Sequence, residues 1–353
     1  MLVRTCVRAY VSVWLGVALI GHPNTHVVAI NLIMSSYYTK NEKEVIKIEF
    51  EKMSQIPPKN PNLPVKVTEM GNVIEVQYMS RRNCKQTIQM LPGGKEFIVL
   101  STGEIKDVEH HTTRKDNKKG LYKTFANARG MINANVTDVS KVRWCTLTYK
   151  ENMTDPKQLY QDFQQFNQRF QYYCKIKGYS KPEYIVMMEP QGRGAWHAHL
   201  LYIWQDMKAP YISNQEFREI WGHGFVKIKK LDNVDNVGAY LTAYLGDMEI
   251  DEIGIENAVG KQCKVLEVED EDGKKVKKAF VKGARLDLYP ANFNMLRYSR
   301  GCKKPIEEMM YQDEAEKKVL GATKTFESAI KLTDCDNDFE SVIIKEQYNK
   351  IRH

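Results

Sequence analysis

The chain has 353 residues, of which 42% are hydrophobic and 27% charged, so a wholly disordered or collagen-like chain is excluded. That length suits about two domains. Lys plus Arg number 52 against 44 Asp plus Glu, a net charge of +8 that is mild overall but concentrated in two blocks. Arg114–Arg143 holds eight basic residues against Asp116 and Asp138, and Lys274–Lys304 holds ten against Asp287 alone. Such blocks suit a polyanion; solvated surface charge is the alternative. The seven cysteines are widely spaced and include no CxxC, which argues against a disulfide framework or zinc finger and fits a reducing cytoplasm.

In chain order, the apolar stretch Tyr10–Ile20 follows Arg4 and Arg8. It is too short for a bilayer span of ~20 residues, although a signal-peptide core has this length. Residues 1–33 read as an upstream extension, with Met34 as the working start. Residues 34–110 read as a β-rich N-terminal arm, with strand patterns at Val65–Thr68, Val73–Tyr78 and Glu96–Leu100. Leu121–Asn135 has helical spacing, and Val142–Tyr149 (VRWCTLTY) reads as a strand. Asp155 and Pro156 open a helix whose apolar face is Leu159, Phe163, Phe166, Phe170 and Tyr173, closed by Gly178. Tyr184–Met188 and Ala195–Trp204 are strands around the turn Pro190–Gly194. Ser213 and Glu216 form a capping box for a helix ending at Trp221–Gly222. Phe225–Lys229 is a strand and Val234–Leu245 a helix.

The order βαββαβ predicts an α+β fold of the ferredoxin-like, split-βαβ kind, an antiparallel sheet with helices on one face and the other face free for a site. This domain is expected over 111–250. A basic hairpin, with its turn at Asp272-Gly273, and a tail should pack on or extend it over 251–310. Residues 311–353 read as a C-terminal helical segment, with Asp313–Leu332 as a peripheral helix. No GxxxxGKS/T is present, so no ATP-driven motor motif occurs in this sequence.

Chemistry concentrates in Trp196–Leu201. Side chains alternate along a strand, so His197 and His199 project from the same face. Two neutral imidazoles there suit a metal; hydrogen-bonded surface histidines are the alternative. Glu189 ends the preceding strand, and the hairpin returns the chain beside it. The glutamate can then add an oxygen ligand, giving two His and one carboxylate for a divalent catalytic ion, or else pair with Arg193. Tyr240 and Tyr244 lie four apart on the last helix and share a face. Near a metal-bound phosphate a tyrosine can attack phosphorus; packing is the alternative role. Thr146 and Thr148 could contact DNA or support the site, and strand propensity also explains them. Lys227, Lys229 and Lys230 read as phosphate contacts or surface charge, and Trp221 and His223 as structural.

The segments WCTLTY (144–149), EPQGRGAWHAHLL (189–201) and NVGAYLTAYLGD (236–247) resemble, in order and spacing, the three motifs of rolling-circle replication initiators of the HUH endonuclease superfamily. The nearest resemblance is to phage gene-two-like and plasmid replication-associated proteins, and KGARLDLYPANFNMLRYSRGCKKP (282–305) looks like a downstream segment of the plasmid group. It covers roughly residues 114–305. The resemblance implies metal-dependent, sequence-specific nicking and joining of single-stranded DNA through a 5′-phosphotyrosyl intermediate. It implies Mg²⁺ or Mn²⁺ on Glu189, His197 and His199, and Tyr240 as nucleophile with Tyr244 as second tyrosine. The chain departs from the YxxKY pattern at Ala243, where lysine is usual. Implied partners are single-stranded or cruciform origin DNA, a host helicase and a DNA polymerase, in the cytoplasm of a bacterial host cell and without a membrane. An HUH relaxase or transposase, or a catalytically weakened origin-binding protein, are the alternatives.

Overall fold

The computed structural model describes residues 48–82, 87–108, 118–231, 236–242, 248–249, 263–269, 275–281, 284–290, 293–334 and 339–352. Expectations for residues 1–47, including the apolar stretch and Met34, lie outside the described residues. The chain forms two compact units. Described residues 48–108 and 305–352 belong to the first, and 118–304 to the second.

The first unit begins with β1 (Ile48–Lys52), β2 (Val65–Met70), β3 (Val73–Met79), β4 (Ile88–Met90), β5 (Glu96–Val99) and β6 (Ile105–Asp107). Strands β2, β3 and β5 fall on the patterns expected at 65, 73 and 96. The second unit follows with α1 (Lys118–Asn135), β7 (Val142–Tyr149), α2 (Pro156–Ile176), β8 (Glu183–Pro190), β9 (Trp196–Ile203), α3 (Asn214–Trp221), β10 (Gly224–Lys229) and α4 (Val237–Thr242). It continues with β11 (Met248–Glu249), β12 (Cys263–Glu269), β13 (Lys275–Val281) and β14 (Leu296–Tyr298). The chain then returns to the first unit with β15 (Ile306–Met310), α5 (Gln312–Val319), β16 (Thr323–Asp334) and β17 (Phe339–Asn349).

In the first unit six antiparallel strands run β1-β16-β17-β3-β2-β15, and β4-β5-β6 form a small separate sheet. The cluster Val65, Val67, Ile74, Val76, Tyr78, Ala329 and Ile344 is its core, with Ala315 of α5 packed on it. The helical segment expected at 311–353 is corrected here. Among its described residues only Gln312–Val319 is helical, Gly321 turns the chain at φ +79°, and Thr323–Asp334 and Phe339–Asn349 form the β16–β17 hairpin. Thr323, Ile330 and Thr333 are stiff β-branched residues that suit a strand, and residues 339–349 pair along β16 with one register shift, between Lys324 and Phe326.

The second unit is built on a five-stranded antiparallel sheet ordered β10-β7-β9-β8-β14. Along the chain its first four strands and two helices run β7-α2-β8-β9-α3-β10, so the spatial order of those strands is fourth, first, third, second. Helix α2 starts where the sequence requires. Asp155 accepts a hydrogen bond from Lys157 N at 2.8 Å, and Pro156 needs no partner at N1. The Ser213–Glu216 capping box of α3 is formed, and Gly222 closes that helix at φ +75°. Phe166 and Phe170 of α2 and Phe217 of α3 all meet the ring of Tyr202 on β9. Burying each such ring contributes roughly 1.5–3 kcal/mol. Both helices therefore cover the face bearing Tyr202, and strand alternation turns His197 and His199 to the opposite face.

Helices α1 and α4 pack closely. Asn133 Nδ2 donates to Asn236 Oδ1, and Gly238 N donates to Asn133 Oδ1 at 2.7 Å. A Cβ on Gly238 would lie 2.5 Å from Arg129 O, so only glycine permits this approach. Two described arginines of the basic blocks are taken up by internal contacts. Arg143 is buried and donates to Val142 O, Ala209 O and Pro210 O. Arg297 stacks on the Tyr160 ring with its guanidinium carbon 3.7 Å from the centroid. The register of β12 and β13 sets Lys277 opposite Glu267 and Lys275 opposite Glu269.

Candidate metal centre on the sheet

Strands β8 and β9 form a hairpin. Gln191 N donates to Ala195 O, Gly194 N donates to Gln191 O, and Gly194 adopts φ +83°, which glycine tolerates without strain. This turn fixes the register that sets Glu189 directly opposite His197. On the other side of β9, β7 sets Thr148 opposite His197 and Thr146 opposite His199.

The three expected ligands meet. His197 Nε2 lies 2.9 Å and His199 Nε2 3.1 Å from Glu189 Oε1, and the ligand atoms of all three lie within 4.8 Å of one another. Glu189 and His197 are buried, while the His199 side chain is 27% exposed and is the most open of the three. Glu189 Oε2 is buried and has no hydrogen-bond partner. A buried carboxylate oxygen without a partner is costly, and a cation would satisfy it. Two imidazole nitrogens, a carboxylate and that orphaned oxygen fit a divalent ion.

Electrostatics favour the ligand state. Burial pushes the Glu189 carboxyl up, but hydrogen bonds from His197 and His199, with the charges of His199 and Arg285, hold it well below the usual carboxylate range. Burial pushes His197 down, and His199 adds to the effect, outweighing the pull of Glu189. At neutral pH the pair is thus an ionised carboxylate beside a neutral imidazole.

Two supporting residues stand behind these ligands. Thr146 Oγ1 lies 3.4 Å from His199 Nδ1. Nε2 donates to Glu189 here; were an ion to take that place, Nδ1–H could donate to the threonine hydroxyl and leave the Nε2 lone pair for the metal. Arg285 Nη1 lies 3.9 Å from Glu189 Oε1 and donates to Pro190 O at 2.8 Å. Arg285 was legible in the sequence only as part of a basic run, because its contact spans a long stretch of chain.

Tyr240 sits on α4, and Tyr244 lies outside the described residues. On β10, Phe225 stands opposite Thr148, Lys227 opposite Thr146 and Lys229 opposite Trp144, so all three share the histidine face. Phe225 is 59% exposed. Trp221 is buried and donates from Nε1 to Thr148 O, which agrees with a structural role. No helix among the described residues is long and apolar enough to cross a membrane.

An antiparallel sheet backed by helices, with two histidines and a carboxylate on its other face, defines a candidate divalent-metal centre. Residues 142–249 match a family of replication-associated proteins, that of ORF2 and the phage gene-two protein, which supports a rolling-circle replication initiator of the phage gene-two type. The match covers the elements from β7 to β11, triad included. No curated protein and no solved structure matches the chain.

Proposed function

We propose that the second unit is a ferredoxin-like HUH endonuclease domain that nicks and rejoins origin DNA to start rolling-circle replication. The domain would occupy 111–250, extended by the hairpin and tail of 251–304; the expected tail stops short of 310 because Ile306–Met310 pairs with β2 in the first unit. The observation that carries this reading is the triad Glu189, His197 and His199 on one sheet face, within the segment that matches a replication-associated family. The strand order fourth-first-third-second supports the split-βαβ assignment.

Glu189, His197 and His199 would hold Mg²⁺ or Mn²⁺, with Thr146 orienting His199. Bound there, the ion would polarise the scissile phosphate and stabilise charge developing on it. Tyr240 is the proposed nucleophile. Its phenolic oxygen forms a bond to phosphorus as the bond from phosphorus to the 3′ oxygen breaks. The phenolic proton is lost and one is gained by the departing 3′-OH. One phosphodiester replaces another, so joining needs no ATP, and the 3′-OH primes a host polymerase while a host helicase opens the duplex. Tyr244 would serve a second cleavage. Lys227 and Lys229 lie on the sheet face in line with the triad and would track phosphates, and exposed Phe225 offers a ring on which a base can stack.

Ala243, where the resembling family carries lysine, favours a second reading, an origin-binding protein with weakened nicking. Incubation with a single-stranded origin library and Mn²⁺, followed by denaturing electrophoresis, separates the two. A covalent protein–DNA adduct supports the nuclease, and retained binding without adduct supports the second reading.

A further inference from the structure

The segment beyond the family match closes over the strand ends that bear the triad. Tyr289 and Phe293 pack on the indole of Trp196, with ring centroids 5.8 and 4.6 Å away. Met188 N donates to Met295 O at 2.9 Å, and Leu296 pairs with Met187 across β14 and β8. Glu189 follows Met188 on β8, and His197 follows Trp196 on β9. From the same segment, the 3-10 turn Ala284–Leu288 sends in one buried guanidinium, Arg285.

Arg285 Nη1 donates to Pro190 O at 2.8 Å and lies 3.9 Å from Glu189 Oε1. The first distance is a hydrogen bond; the second is a close charge without one. The residue therefore ties down the backbone immediately after Glu189 and sets a permanent positive charge beside its carboxylate. We propose that Arg285 is a positioning residue: it pins the Glu189–Pro190 end of β8 so that the carboxylate keeps its place beside His197 and His199 when a divalent ion binds. The proposal rests on the metal-centre reading given above. It makes Arg285, on the turn Ala284–Leu288, part of the metal site, although the family match ends at residue 249.

Anchoring and charge act in opposite directions, which makes the proposal testable. A cation beside the site repels a divalent ion, so a bystander arginine would weaken metal binding and its removal would tighten it. An anchor strengthens binding, and its removal weakens it, as loss of outer-shell partners does by ~10–100-fold.

The test is Mn²⁺ titration of the full chain without DNA, with free Mn²⁺ read by electron paramagnetic resonance, for wild type, Arg285→Gln, Arg285→Lys and Asn135→Ala. Asn135 ties the same segment elsewhere, bonding Met131 O and Lys303 O at 2.8 Å. Arg285→Gln should bind Mn²⁺ ~10–100-fold more weakly, with Arg285→Lys between it and wild type. Asn135→Ala should lower the melting temperature and leave Mn²⁺ affinity unchanged. Unchanged or tighter Mn²⁺ binding by folded Arg285→Gln overturns the role of Arg285. If that variant does not fold, Arg285→Lys decides in the same way: weaker binding supports the anchor, and unchanged or tighter binding overturns it. A wild type that binds no Mn²⁺ overturns the metal centre itself, a result distinct from failure of the arginine alone.

Discussion

Thr146 and His199 face each other across β7 and β9, with the threonine hydroxyl 3.4 Å from Nδ1 of the imidazole. The pairing directs the other nitrogen, Nε2, to Glu189. It gives a strand threonine, otherwise explained by β-propensity, a second task. Thr146→Val keeps the shape and the strand preference and removes only the hydroxyl. Mn²⁺ affinity should fall ~10-fold with the melting temperature nearly unchanged. Titration calorimetry checks this, and equal affinities would leave Thr146 with its strand role alone.

The histidines should separate cleavage from binding. His197→Ala and His199→Ala should abolish nicking while leaving single-strand affinity within about threefold, since the phosphate-facing surface is intact. EDTA should reproduce the loss in wild type, and added Mn²⁺ should reverse it. Binding by fluorescence anisotropy and nicking on denaturing gels are the paired readouts.

Stability without metal should depend on pH with a definite sign. Glu189 and His197 both have folded pKa values below their ordinary ones. The unfolded chain therefore binds more protons than the folded one as pH falls, and stability falls with it. For His197 the loss starts below the ordinary histidine value of about 6.5 and ends once pH passes its folded value. For Glu189 it begins near the ordinary carboxylate value and ends below its folded one. In thermal melts in EDTA, His197→Gln should flatten the decline just below pH 6.5 relative to wild type; parallel curves would contradict the assignment.

Phe225 is exposed on the face of β10 shared with the triad. Phe225→Ala should weaken single-strand binding by ~1–3 kcal/mol, the usual worth of a base–aromatic stack. It should not alter Mn²⁺ affinity. Lys227→Gln should instead weaken all sequences alike and reduce the salt slope by up to about one unit. Anisotropy titrations at several salt concentrations distinguish the two.

Gly238 tests the α1–α4 contact. Gly238→Ala would press a methyl against Arg129 O and the Asn133 side chain. It should destabilise the protein by ~1–3 kcal/mol, as overpacking does. A melting temperature equal to that of wild type would show that the two helices separate easily.

Local signals carried much of the second unit. β-Branched and aromatic residues in VRWCTLTY marked β7, alternation in WHAHLL set the two histidines on one face of β9, and Asp155, Pro156, Ser213 and Glu216 marked helix starts whose caps are formed. The triad was legible because strand alternation and a short hairpin fix it locally. Three things were not. The strands of 311–353 pair with each other as a hairpin and gain the rest of their sheet only through long-range pairing with β1 and β3, and their charged helical stretch masked this. Arg143 and Arg297 lie in basic blocks that suit a polyanion, yet one is buried on backbone carbonyls and the other stacked on Tyr160. Arg285 gains its meaning only when the tail folds back onto β8.

On the proposed function, Tyr240 forms a metal-dependent covalent link to DNA. The most direct measurement is peptide mapping of the adduct formed on single-stranded origin DNA with Mn²⁺, in wild type, Tyr240→Phe and Tyr244→Phe. The expected result is a 5′-phosphotyrosyl link on Tyr240, absent in EDTA and in Tyr240→Phe, and retained in Tyr244→Phe. Folded protein that binds Mn²⁺ and DNA yet yields no adduct on either tyrosine would contradict the account, and attachment at Tyr244 alone would overturn the choice of nucleophile.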